Sequence, residues 1–200
     1  MRGRGLARPL PVGRDGASAR AATVLADLRA DPMNPLTEKQ IRASFVNASR
    51  REAGQAVLPD LAELAWDRLD YLGWQDRKAP LSAYVVLELD GTPTGVLLRA
   101  SAAPASGRRR KAMCSWCRDL ASVEATLYVA RRGGAAGRAG NTIGTLICQD
   151  FSCSRNTRRP PTSSEGGDGI EAIADQVVAE RIAGLRERST QFVRDVAATS

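Results

Sequence analysis

Four cysteines are the residues of this 200-residue chain whose type and spacing most directly imply chemistry. Cys114 and Cys117 form a Cys-x2-Cys pair, and thirty residues later Cys148 and Cys153 form a Cys-x4-Cys pair. Both spacings let two thiolates close on one tetrahedral ion at metal–sulfur distances of about 2.3 Å. The chain has no histidine. That excludes Ser-His-Asp and Cys-His nucleophilic sites, HExxH metal sites and any imidazole general base. A zinc site here is therefore all-cysteine, or cysteine with carboxylate. With four protein ligands it leaves no position for water and is structural, not catalytic.

Three other readings compete with one structural Zn2+. A two-disulfide framework requires an oxidising compartment, and the basic N-terminus is followed by no continuous apolar segment of the secretory kind. No stretch reaches the ~20 apolar residues of a membrane span, so the setting expected is the cytoplasm. A redox Cys-Ser-Trp-Cys would need a βαβ unit and leaves the second pair unexplained. Four unrelated core cysteines would seldom fall into two close pairs. Zinc is preferred over all three.

The net charge of +7 is unevenly spread: +3 in residues 1–32, −1 in 33–107, +8 in 108–159 and −3 in 160–200. The cysteine-bearing segment is the basic one, and such a field favours an acidic partner, either nucleic acid or an acidic protein face. Four thiolates around Zn2+ carry a formal −2. Arg108-Arg109-Arg110-Lys111, Arg118 and Arg155 lie close enough in sequence to offset it. Most of the Arg run is also expected to be solvated surface, free for a partner.

The elements that must position the cysteines can be sketched from pattern. Residues 1–32, rich in Arg, Ala and Gly, read as a disordered basic extension, and Met33 directly before the first strong signal marks them as a candidate upstream extension of the reading frame. Residues 33–200 form one domain. Thr37 and Gln40 make a capping box with Leu36 and Ile41 as its hydrophobic staple, predicting a helix from there to about residue 51. A second short helical stretch is expected from Pro59 to Trp66, and a loop holding Trp74 between Gly73 and Pro80. Residues 83–89 and 96–98 around Asp90-Gly91 predict one hairpin, and residues 123–130 and 142–147 a second. The connection 131–141, with four glycines, predicts a flexible basic loop. Residues 158–169 read as a linker before a long helix over about 171–197, whose Ile182, Leu185, Ser189, Phe192 and Val196 make an apolar stripe. Packing of that stripe on the domain, in a monomer, is preferred over a coiled-coil dimer. The fold class is α+β: a treble-clef four-cysteine zinc finger with two β-hairpins, short N-terminal helices and a long C-terminal helix. Knuckle, hairpin, then helix with the second pair around its start is the treble-clef layout.

Several segments together carry a resemblance: residues 36–47, Trp66 to Asp70 with Leu72-Gly73-Trp74, residues 108–117, and residues 137–145 running into Cys148. Over roughly residues 34–197 the chain resembles the C-terminal treble-clef domain of the elongation factor G-binding proteins, known for fusidic-acid resistance. The resemblance matches the four cysteines to that family's zinc ligands. It implies a non-enzymatic, ribosome-associated factor that binds elongation factor G and modulates its release from the ribosome. The resistance proteins carry a helical-bundle N-terminal domain, whereas only short helical segments precede the first hairpin here. Arg108, Arg109, Arg110, Lys111, Arg131, Arg132 and Arg138 are the candidate partner-binding residues, supplying steering and rim contacts. The alternative is a finger for ribosomal RNA, served by the same cations. Against it, the aromatics of the basic segment are only Trp116, Tyr128 and Phe151. An enzyme is not expected, because no general base stands out and the Gly-rich stretch lacks a P-loop ending.

Overall fold

The Thr37 capping box forms as its spacing implies. It starts α1 (Glu38–Ser44): the Thr37 hydroxyl accepts from the Gln40 N–H at 3.3 Å, and the Gln40 side-chain carbonyl accepts from the Thr37 N–H at 2.9 Å. Leu36 and Ile41 are buried in one cluster. The helix stops well short of residue 51. Phe45 leaves it in an extended conformation, and a second capping box, Ser49 with Glu52, opens α2 (Arg50–Gln55). The break exists because residues 45–47 run against the sheet: the Val46 N–H donates to the Gly95 carbonyl at 2.9 Å, and Phe45 packs on Tyr84 with ring centroids 5.5 Å apart.

The computed structural model describes residues 32–101, 112–119, 124–165 and 171–198. The extension assigned to residues 1–32 (but for its last residue), the Arg108-Arg109-Arg110-Lys111 run and residues 166–169 of the expected linker lie outside the described residues. Between α2 and the sheet, the helical stretch expected over 59–66 reduces to a 3-10 turn, Trp66–Arg68.

Both expected hairpins form, and they join into one antiparallel sheet of five strands in sequence order: β1 (Leu72–Gln75), β2 (Ser82–Leu89), β3 (Thr92–Ala100), β4 (Ala125–Arg131) and β5 (Thr142–Cys148). β1 replaces the loop expected around Trp74. Its Gly73 and the nearby Pro80 read as breakers, but tertiary packing overrides propensity there. Trp74 stacks on Tyr84 at 4.9 Å, and a Cβ on Gly73 would stand 2.6 Å from the Phe151 ring. The 131–141 connection also holds structure, a short helix α3 (Gly134–Arg138). After β5 come α4 (Cys153–Thr157) and the long α5 (Glu171–Ala197).

The sheet is buried on both sides at β2 and the middle of β3, which is why β2 reads as a nearly continuous apolar run, whereas β4 and β5 expose part of one face. Ala83, Val85, Leu87, Val96, Leu98 and Tyr128 pack under the cysteine cluster and the Leu185, Phe192, Val193, Val196 stripe of α5. Leu72, Trp74, Tyr84, Val86 and Leu97 pack under Met33, Leu36, Ile41 and Trp66. The α5 stripe is thus covered by the chain's own domain, as its pattern implied.

β3 and β4 pair only at Arg99 with Val129 and Ala100 with Tyr128, and then diverge. Asn47 fills the fork. Its Oδ1 accepts from the Leu97 N–H at 2.8 Å, and its Nδ2 donates to the carbonyls of Leu97 (3.0 Å) and Arg131 (2.8 Å). One side chain thereby satisfies backbone groups that the missing ladder would leave unpaired. Asn47→Ala should lower unfolding free energy by about 2–3 kcal/mol in urea titration of the zinc-loaded protein. A change within about 0.5 kcal/mol, the usual surface-substitution range, would mean that water replaces the amide at no loss.

Candidate metal centre

Three local devices place the four cysteines. Cys114 and Cys117 sit on a tight turn closed by the Arg118 N–H donating to the Cys114 carbonyl at 2.9 Å, and the Cys117 N–H points at the Cys114 Sγ at 3.4 Å. The Ser115 N–H donates to the Leu146 carbonyl at 2.7 Å and fastens this knuckle to the edge of β5. Cys148 ends β5, and Cys153 begins α4. Between them the chain reverses at Phe151, whose N–H donates to the Cys148 carbonyl at 3.1 Å. Arg118 and Phe151 both take a left-handed backbone with φ 57°. That conformation costs a non-glycine residue on the order of 1 kcal/mol, and both chain reversals around the ligands accept it.

All four sulfurs lie within 4.8 Å of one another, with Cys114 to Cys153 and Cys117 to Cys148 at 3.6 Å. A tetrahedron with zinc–sulfur bonds of about 2.3 Å has sulfur–sulfur edges of about 3.8 Å. A disulfide would need about 2.05 Å. The four are free cysteines, and all are buried. Crowding sets their acidities apart. Hydrogen bonds from Cys117, then Cys148 and Cys153, pull the Cys114 thiol far below its ordinary range. The same contacts, led by Cys114, push Cys148 and Cys153 far above it. Only a cation at the centre lets all four be thiolates together, and the donor set fits zinc. The protein holds one structural zinc at this site, where its chemistry is that of a fixed fourfold crosslink.

The surroundings complete the site. Asn156, one turn into α4, donates from Nδ2 to the Cys148 Sγ at 3.5 Å. Trp116, 1% exposed, points into the core between Tyr71 (5.1 Å, edge-on) and Phe192 of α5 (5.7 Å). The Tyr71 hydroxyl donates to the Phe151 carbonyl at 3.3 Å, and burial, with the charge at Cys153, pushes its phenol well above 10. From α5, the Arg188 Nε donates to the Trp116 carbonyl at 2.7 Å. Asn156 and Arg188 had no signal in the cysteine spacing. Asn156 shares a helical turn with Cys153, but Arg188 reaches the knuckle only through the tertiary fold.

The expected cations distribute differently from their sequence neighbourhood. Arg118 follows the last knuckle ligand and is exposed. Arg155 turns instead to Asp150 at 3.3 Å, both well exposed. Arg131 binds both Glu52 oxygens at 2.8 and 3.0 Å, and Arg132 donates to the Asp195 carbonyl near the end of α5 at 2.7 Å. These two therefore hold structural contacts besides whatever else they meet. Arg138 is exposed at the end of α3 and has no ion pair among the described residues. The aromatics weighed as base platforms, Trp116, Tyr128 and Phe151, are all buried.

Arginine also fixes the segment read as a linker. Asp70, its side chain fully buried, is held by Arg158 at 2.5 and 3.1 Å and by Arg186 of α5 at 2.8 Å. Glu165 takes Arg159 at 2.8 Å and Arg181 of α5 at 2.7 Å. The Arg159 hydrogen bond, then the Thr162 N–H, hold its carboxyl well below the usual 4.5.

A knuckle, a hairpin and a short helix converging on four thiolates define a treble-clef zinc finger, here set within a larger α+β domain. The chain belongs to the family described as the FBP C-terminal treble-clef zinc-finger, whose model matches residues 40–196. Among solved structures, that of the fusidic acid resistance protein FusC is similar at 20% identity, with a TM-score of 0.48. The match covers 70% of this chain and 61% of that one. This chain thus spans about three fifths of FusC's length. A search of the curated proteins finds no match. Among the described residues, no helix is long and apolar enough to cross a membrane.

The purified protein should carry one zinc per chain by elemental analysis, and Cys148→Ser should lose both the metal and a cooperative thermal transition. A mutant that stays folded without metal would contradict a structural role. Acid provides a second check. Because the folded Glu165 carboxyl ionises below 4.5, its contribution to stability is present above that value and is lost as pH falls below it. The stability advantage of the parent over Glu165→Gln should be full at pH 6 and shrink below about pH 4.5; an advantage independent of pH would remove the clamp from the account.

Proposed function

We propose that this protein is a non-enzymatic binding module for elongation factor G, acting in the cytoplasm as a monomer and modulating the factor's release from the ribosome in the manner of fusidic-acid tolerance. Membership of the treble-clef family over residues 40–196 is the observation that carries the reading. The charge distribution supports it, because residues 108–159, the stretch of sequence that carries the zinc ligands, gather +8. A rigid, cation-rich surface loses little entropy on docking and is steered toward an acidic face. The mechanism is passive, and no group is assigned a catalytic step. The ribosomal-RNA reading draws on the same cations, but buried Trp116, Tyr128 and Phe151 offer no stacking surface.

Purified elongation factor G should be retained by the tagged, zinc-loaded chain at moderate salt, with affinity falling as salt rises. Absence of binding at low salt, alongside salt-sensitive binding of ribosomal RNA fragments, would reverse the assignment.

A further inference from the structure

Four arginines lie on α5, and three of them end on carboxylates: Arg181 on Glu165, Arg186 on Asp70 and Arg194 on Asp90. Arg188 does not. Its Nε is fixed to the Trp116 carbonyl at 2.7 Å, while Nη1 and Nη2 meet no acceptor among the described residues. The guanidinium rests on Gly184, one turn back along the helix. A Cβ at Gly184 would stand 2.6 Å from Nη1 and 2.9 Å from Nη2. Glycine inside a helix costs about 1 kcal/mol relative to alanine. The helix thus carries its least favourable interior residue where the guanidinium needs room.

Arg118 shares the knuckle turn that Arg188 grips. It is exposed, its backbone is fixed by the bond to the Cys114 carbonyl, and it has no ion pair among the described residues. Two arginines are therefore held near each other on rigid elements, and elsewhere on α5 the arginines are paired. An arginine fork is satisfied best by a planar carboxylate taken on two N–H groups.

We infer that Arg118 and Arg188, seated on the zinc knuckle and over Gly184, form a docking site for a carboxylate side chain of an acidic protein segment. A phosphate would suit the same forks, but with the aromatics of this region buried an acidic protein segment is the better match. The inference rests on the protein-partner reading and names a contact for it. A purely local role, offsetting the charge of the zinc thiolates, requires only a cation at position 188. The docking role requires the fork and the space beneath it.

The test uses the full zinc-loaded chain, with zinc content and thermal midpoint checked for every variant. In the first arm a capped hexa-aspartate peptide is titrated while arginine Nε–H signals are followed by NMR. Arg118 and Arg188 should shift in a saturable way, more than Arg138. In the second arm elongation factor G is bound to the parent, Arg118→Ala, Arg188→Lys and Gly184→Ala. Each substitution should weaken binding roughly ten-fold, as loss of a charged contact does, and Arg188→Lys should do so although it keeps the charge. Gly184→Ala separates the effect from loss of folding or charge, since it improves helix propensity and keeps both arginines in the sequence while its Cβ displaces the Arg188 guanidinium. Parent-like binding by all three variants overturns the site while leaving the proposed partner intact. A peptide response at both arginines with no binding of the factor upholds the site and removes that partner. An RNA oligonucleotide that shifts both arginines where the peptide does not overturns the choice of carboxylate, and no response in either arm overturns both readings.

Discussion

Four thiolates brought within 4.8 Å of one another in a buried site repel each other unless a cation sits among them, and that requirement organises this molecule. Zinc meets it with four short bonds in a fixed geometry. Those bonds join the knuckle, the end of β5 and the start of α4, which otherwise meet through only a few hydrogen bonds such as Ser115 N–H to the Leu146 carbonyl. Once they converge, Trp116 is driven inward between Tyr71 and Phe192, which gives α5 its seat on the sheet. The left-handed turns at Arg118 and Phe151 are the local strain that the arrangement accepts. The metal's contribution is therefore geometric, and it reaches the far helix through Trp116, whose ring meets Phe192 and whose carbonyl accepts from Arg188.

Around that crosslink the chain uses arginine as a set of struts. Arg158 and Arg186 meet on buried Asp70, and Arg159 and Arg181 meet on Glu165, so the segment after α4 is tied twice to α5. Arg131 and Arg132 do the same for the β4 end, reaching Glu52 and the last turn of α5. A strongly basic segment is thus only partly a binding surface. Some of its charge is neutralised internally, and among the described residues Arg118 and Arg138 are cations of that segment without an ion pair. This sharpens the functional reading, because the rigid part of the basic surface lies on the zinc knuckle.

The parts of the fold that sequence made legible are those set by local chemistry. Thr37 with Gln40, the turn at Asp90-Gly91, the apolar stripe of α5 and the cysteine spacing each contain their own physical reason within a few residues. Ser49 with Glu52 was equally local, but the apolar Phe45-Val46 pair preceding it suggested one longer helix. Non-local features could not be read in this way. Gly73 and Trp74 form a strand because Tyr84 and Phe151 cover them, and Asn47 bridges a fork between strands distant in sequence. Of the metal centre, the four ligands were legible from type and spacing. The Asn156 and Arg188 contacts were not, since they depend on where α4 and α5 dock.

The central claim is that zinc holds the knuckle, the second hairpin and the C-terminal helix as one cooperative unit. Hydrogen exchange of the full chain, compared with and without zinc by mass spectrometry, addresses it directly. The account predicts that metal removal abolishes protection together in β4, β5, α4 and the half of α5 from Leu185 to Val196. Retention of native protection in β5 and α5 without zinc would show that the core stands by itself and that the metal only decorates it.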